Sequence, residues 1–243
     1  MVPYIGGSVF VEFLEQWCPN LYAYWYRFLD NCLATFQMFL ISGSISFVFG
    51  MFFGVLLVVF KKDSIRENKI LYTIISIIIN VFRSIPFIVL LVFFIPFTRA
   101  VVGTAIGVKG AVIPLIFGTV PFFSRQVESA LENVNPGKVE AARSMGSGTA
   151  GLIFRVYLHE SVPELIRAAT ITAISLVGLT TMAGAVGAGG LGDFAINYGQ
   201  GLNHTDIIYA CIIVLLLFIC FLQFTGSFFA KKTTNRGLFK KTY

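Results

Sequence analysis

Leu33 to Phe60 reads LATFQMFLISGSISFVFGMFFGVLLVVF, 28 residues without one charged side chain. About 20 residues of helix are enough to cross a hydrocarbon layer roughly 30 Å thick. Two further runs behave alike: Ala168 to Gly192, 25 residues, and Ile207 to Ala230, 24 residues, are also uncharged. The whole chain of 243 residues is 56% hydrophobic and 12% charged, where an ordinary soluble domain carries about 25% charged residues. So much apolar surface does not fit inside one core of this length. Lipid removes the difficulty by becoming the solvent, and the expected class is an all-α integral membrane protein.

Working outward, Ile70 to Thr98 is interrupted only by Arg83. Splitting it there leaves pieces too short to span, so one helix is expected, kinked near Pro86. A weaker span covers residues 107–127, with Lys109 near one end and Pro114 and Pro121 set to bend it. The reading is therefore five spans, at about 33–60, 70–98, 107–127, 168–192 and 207–230. They make a transmembrane domain of residues 33–230, between an extension of residues 1–32 and a basic tail of residues 231–243. Lys61, Lys62, Arg66 and Lys69, five basic residues between Arg125 and Arg167, and five in the tail fall on one side of an alternating topology; together they are 14 of the 18 basic residues. The positive-inside rule makes that side the cytoplasm. The N-terminus is then outside, where Tyr22, Tyr24, Trp25 and Tyr26 suit an interfacial belt, and the C-terminus is cytoplasmic.

A net charge of +6 raises nucleic acid as a partner, but such binders gather Lys and Arg on one polar face; here they flank apolar runs. Cys18, Cys32, Cys211 and Cys220 show no metal-ligand spacing, and the sequence leaves a Cys18–Cys32 bridge open. His159 and His204 are isolated, so no metal site is expected. A membrane-embedded enzyme would need acid, base or nucleophile groups, and the three uncharged spans hold no Asp, Glu, His or Lys; no catalytic residue is assigned. An ion channel would conduct without nucleotide. No GxxxxGK[ST] phosphate loop occurs, so the chain cannot hydrolyse ATP by that means.

Residues 128–167 form a polar connection in which Asn135-Pro136-Gly137 is a turn, Val139 to Met145 is helical, and Gly146, Ser147 and Gly148 break the run. Glu128, Glu132, Glu160 and Glu164 read as a solvated face. Here the sequence resembles the permease subunits of bacterial ABC importers, whose cytoplasmic signature is Glu-Ala-Ala, three residues, Gly, nine residues, Ile, one residue, Leu-Pro. This chain has Glu140-Ala141-Ala142, Gly146, Val156 and Leu158, with Val156 in place of Ile and His159 in place of Pro. Arg83-Ser84-Ile85-Pro86-Phe87, Ile95-Pro96-Phe97-Thr98-Arg99, Val102-Gly103-Thr104 and the run Ala185 to Gly192 resemble the methionine-importer permeases of MetI type, as does Gln223-Phe224.

The resemblance implies a type I importer permease fold in a bacterial cell membrane, working as a homodimer. It implies two copies of a separate ATPase that binds ATP and Mg, and an extracytoplasmic substrate-binding protein; the chain itself needs no cofactor. Glu140, Ala141, Ala142 and Gly146 would form the coupling helix and its stop, small alanines letting it sit deep in a partner's groove and Gly146 ending it where a side chain would clash. Arg83, a charge inside an apolar span, needs a partner, a polar cavity or the interface; bonding to backbone carbonyls or a helix end is favoured over contact with solute. Gly187 and Gly189 lie in a run that happens to satisfy GxGxxG, but it ends an apolar span and follows no strand, so it is read as close helix packing or a non-helical stretch lining a path. Met182 just before it reads equally as a gate plug or as a lipid- or core-facing side chain. The expected function is the methionine path of an ATP-driven importer working by alternating access. The alternative is a permease for another amino acid or a small organic solute.

Overall fold

The computed structural model describes residues 16–62 and 64–239, with side chains as far as residue 234. Among the described residues every regular element is helical. Lys240 and Lys241, counted above in the tail, lie outside the described residues. In chain order the helices are α1 (Pro19–Ala23), α2 (Trp25–Phe60), α3 (Lys69–Ser84), α4 (Phe87–Val102), α5 (Gly107–Glu132), α6 (Pro136–Ser144), α7 (Thr149–Gly151), α8 (Leu158–Glu160), α9 (Val162–Ala183), α10 (Gly190–Phe194) and α11 (Thr205–Phe239). Three π-wound turns join them, at Leu152–Tyr157, Gly184–Ala188 and Ala195–Gln200.

Among the described residues four helices are long and apolar enough to cross a membrane, or five crossings if the broken pair α3 and α4 counts as one. The segment 70–98, expected as one helix, is thus two. Its end is set at Ile85, which is extended (φ −81°, ψ 124°). Proline has no N–H and crowds the residue before it out of the helical region, so Pro86 ends α3 outright where a kink was expected. Pro114 and Pro121, by contrast, lie within an unbroken α5. The apolar run at residues 168–192 also differs: α9 begins earlier, at Val162, and ends at Ala183.

The chain divides into two compact units. The first gathers residues 16–42, Phe87–Leu115 and Leu176–Cys220. Its core includes Phe28, Leu191, Phe194 and Ile207, with Met38, Leu115 and Leu176 in a second cluster. The Asp206 carboxylate accepts the backbone N–H groups of Asn20 and Leu21 at 3.0 and 3.1 Å and the Asn20 side-chain amide at 3.1 Å. This ties the first turn of α1 to the start of α11. All four cysteines are free, so no bridge joins Cys18 and Cys32.

The second unit gathers Gly43–Pro86, Ile116–Ser175 and residues 221–239. Lipid offers helices no hydrophobic reason to associate, so close approach through small residues does that work. Gly50 and Gly54, four apart on α2, meet α5: a β-carbon on Gly50 would stand 2.6 Å from Phe123 Cδ1, and one on Gly54 2.5 Å from Val127 Cβ and 2.8 Å from the Ser124 carbonyl. Because the obstacle includes backbone, the site cannot yield cheaply. Gly54→Val is expected to destabilise the protein by about 1–3 kcal/mol, measured as a fall in the thermal unfolding midpoint of the detergent-solubilised protein.

Candidate functional site: a capped handle and a broken helix

The polar connection of the second unit is built around α6. Helices this short are marginal by themselves, and α6 is secured at both ends. Pro136 opens it, and the Asn135 side chain accepts the Gly137 N–H at 2.8 Å. At the other end the Gly146 N–H donates to Arg143 O at 2.9 Å and the Ser147 N–H to Ala142 O at 3.0 Å, a Schellman closure. That closure needs a residue with positive φ, and Gly146 has φ 78°. The glycine stops the helix by its conformation; among the described residues, its chain neighbours aside, nothing lies within 4 Å of the space a β-carbon would take, so the clash expected at this position is not with these residues.

Val139 and Ala142 are buried against Val134 and Leu152, with Val156 packed beside them. Glu140, Ala141, Arg143 and Met145 point outward, Met145 at 79% exposure. The Glu-Ala-Ala triplet is therefore split: Ala142 seats the helix, while Glu140 and Ala141 form its free face. Lys138 pairs with Glu160 across the connection, and Glu164 with Arg167. Glu132 takes Lys61 at 2.6 Å, and this hydrogen bond holds the Lys61 ammonium above its usual pKa. A polar cleft of about 340 Å³ runs beside α6, lined by Lys61, Lys62, Glu132, Glu140, Arg143 and Tyr157 among others.

Glu128 departs from the solvated face expected of it. It lies on α5, buried, in an ion pair with Arg125 at 2.6 Å. Sequence reasoning missed this pair because Arg125 and Glu128 flank the end of an apolar span and look like the first residues of a loop. Their i, i+3 spacing was the available signal.

In the first unit, α9 ends at Ala183 with Met182 half exposed beside it. The backbone then opens: Val186 (φ −113°, ψ 23°) and Gly187 (φ 92°) leave the helical region. Gly187 and Gly189 have empty space around them, whereas a β-carbon on Gly190 would meet Thr35 Oγ1 at 2.7 Å. Two residues absent from the sequence reading hold this break. The Asn31 side chain accepts the Gly190 N–H at 2.9 Å and the Thr35 hydroxyl accepts the Leu191 N–H at 2.8 Å. They stand four apart on α2, so both face one way. Arg83 sits in the last turn of α3, exposed, with no hydrogen bond or ion pair to it among the described residues; no backbone carbonyl among them holds it. His159 is exposed, and among the described residues no three His, Cys, Asp or Glu side chains are grouped to hold a metal ion.

The profile of the family described as binding-protein-dependent transport system inner membrane component matches residues 46–234. A probable D-methionine transport system permease protein MetI of Vibrio cholerae serotype O1 is 38% identical over 222 residues, which cover 89% of this chain and 99% of that one. The methionine import system permease protein MetP of Bacillus subtilis is 41% identical over 171 residues, 70% of this chain and 77% of the relative. Among solved structures, a chain of the MetNI methionine ABC transporter in inward-facing conformations superposes with a TM-score of 0.84 at 41% identity, covering 87% of this chain and 98% of that chain.

The broken helix yields its own test. Thr35→Val keeps the side-chain shape but removes the acceptor of the buried Leu191 N–H. An unsatisfied buried donor costs about 1–3 kcal/mol, so thermal unfolding should move to lower temperature, and Thr35→Ser, which keeps the oxygen, should stay closer to the parent.

Proposed function

The chain belongs to the family of binding-protein-dependent transport system inner membrane components, and on that premise we propose that it is the membrane-spanning subunit of an ATP-driven importer for methionine. In this reading the helices between residues 33 and 230 make five crossings, α3 and α4 forming one broken crossing. Residues 1–32 lie on the outer side and residues 231–243 in the cytoplasm. Two copies form the translocation path, an extracytoplasmic binding protein delivers solute from above, and two copies of a separate ATPase dock below. ATP and Mg belong to that ATPase.

The observation that carries the proposal is α6. A helix capped at both ends, seated by Val139 and Ala142, leaves Glu140, Ala141 and Met145 facing out. Such a face is a handle: rigid enough to transmit force and bare enough to be gripped. Closure of the ATPases on ATP would carry the two handles together and open the path outward; hydrolysis would return it inward. Gly187 and Gly189, at the break after Met182, provide backbone that can line a path without side chains, and Met182 supports a gate by its half-exposed position at the last regular turn. Arg83, charged and unheld at the end of α3, supports a role at the interface or the path.

Two measurements test this. Ala141→Arg puts a bulky charge on the free face without touching the seat, and should weaken association with the ATPase by about tenfold or more while the purified subunit keeps its thermal midpoint. Undiminished association would count against the handle. Uptake of labelled methionine into proteoliposomes of the full complex should require ATP and be competed by unlabelled methionine and not by polar amino acids. Competition by a polar amino acid instead would move the reading to another solute.

A further inference from the structure

Arg125, Glu128 and Glu132 stand at i, i+3 and i+7 on α5, and so share one face near its end. The Arg125 guanidinium donates to Glu128 at 2.6 Å, along its own helix. Its other terminal nitrogen donates to α3: to the Ser76 hydroxyl at 2.5 Å, the Asn80 side-chain oxygen at 2.9 Å and the Ser76 carbonyl at 3.3 Å. The Tyr72 hydroxyl donates to the remaining Glu128 oxygen at 3.2 Å. Tyr72, Ser76 and Asn80 are spaced by four along α3, so α3 offers a row of acceptors and one donor to a charge pair in which Glu128 is buried and Arg125 partly so. Charge compensation is thus local to α5, while the contacts that cross to α3 are directional hydrogen bonds. A pair that only neutralised charge would need none of them. Apolar side chains can slide past one another; a planar guanidinium that holds Glu128 with one terminal nitrogen and α3 with the other cannot follow such a slide.

The residues after Glu132 lead in one short turn to α6, and Val134 in that turn packs in the same cluster as Val139 and Ala142. We propose that Arg125 is a positioning residue of the transport cycle, clamping α3 to the end of α5 so that displacement of the handle α6 moves both helices together. The inference rests on the reading of α6 as the ATPase contact, and goes beyond it by naming how the motion leaves the handle. Without the clamp α5 would follow the handle alone, and hydrolysis would proceed with α3 left behind.

The experiment uses the full complex with its ATPase and binding protein in proteoliposomes, reading methionine uptake and ATP hydrolysis in parallel. Three variants separate the clamp from simple stability. Arg125→Lys keeps the charge pair but not the fork. Asn80→Leu with Ser76→Ala removes side-chain acceptors and leaves Arg125 in place. Arg125→Met with Glu128→Gln removes both charges together, avoiding a lone buried ion. All three are expected to assemble with the ATPase and to hydrolyse ATP, with methionine moved per ATP lowered by about fivefold or more. Variants that keep the parent ratio, lose uptake and hydrolysis in equal proportion, or are restored by lysine would overturn the clamp. A parent complex that takes up no methionine under ATP would overturn the transport reading and the clamp with it; a transporting parent with unaffected variants overturns the clamp alone.

Discussion

A backbone N–H or C=O inside hydrocarbon finds no water, and each must be satisfied by the chain itself. Continuous helix meets that demand along its whole length, which is why α2, α5, α9 and α11 are long. Each break must be provided for from elsewhere. Where α9 opens at Gly184–Ala188, the next helix begins with donors that no preceding turn can accept. Asn31 and Thr35 fill that need from α2, one turn apart, with Thr35 itself buried. Two polar residues near the start of an apolar helix are thereby the condition for a glycine-rich break to exist at a defined place. Break and support are one feature distributed over two distant stretches of chain.

Close packing follows from the same solvent. Helices in lipid gain nothing from hiding apolar surface from other apolar surface, so van der Waals contact and polar ties decide which faces meet. Gly50 and Gly54 let α2 lie against Phe123 and Val127. One helix over, Arg125 and Glu128 tie α5 to Tyr72, Ser76 and Asn80 of α3. Glu132 adds Lys61, just past α2. The end of α5 therefore has three different grips on its neighbours, immediately before the connection that leads to α6. Glycine contact sets the distance, and the ion pair and hydrogen bonds set the register.

The short helix α6 shows how a polar connection is held in place. Nine residues are too few to be stable through their own hydrogen bonds. Asn135 and Gly146 close its two ends, and two inward side chains fasten it to the turn before and the helix after. What remains outside is a small surface with one acidic group, one alanine and one bare methionine. Splitting the alanine pair gives each a different duty. Ala142 must be small to seat the helix, and Ala141 lies on the exposed face.

Much of this architecture was legible in the residues because its causes are local. Charges are costly in lipid, so uncharged runs mark the long helices; the turn at Asn135-Pro136-Gly137 and the stop at Gly146 bracket α6 because capping depends on the nearest few residues; and the spacing from Glu140 to Leu158 survives intact. The misreadings share the opposite cause. Pro86 announced a disturbance, but whether a proline kinks a helix or ends it depends on what the freed groups and Ile85 find around them. Glu128 displayed polarity without displaying its surroundings: Arg125 stands three residues before it, but Tyr72, whose hydroxyl it accepts, sits 56 positions earlier on α3. Asn31 and Thr35 likewise gain meaning only beside Gly190 and Leu191. The sequence by itself determined the solvent this protein lives in, its helical class and the bounds of α6, because hydropathy and capping act over a few neighbouring residues. Only the tertiary structure decided which polar side chains are buried, which glycines are contacts and which are hinges, and what holds the broken helix, because each of those is a question about a partner far away along the chain.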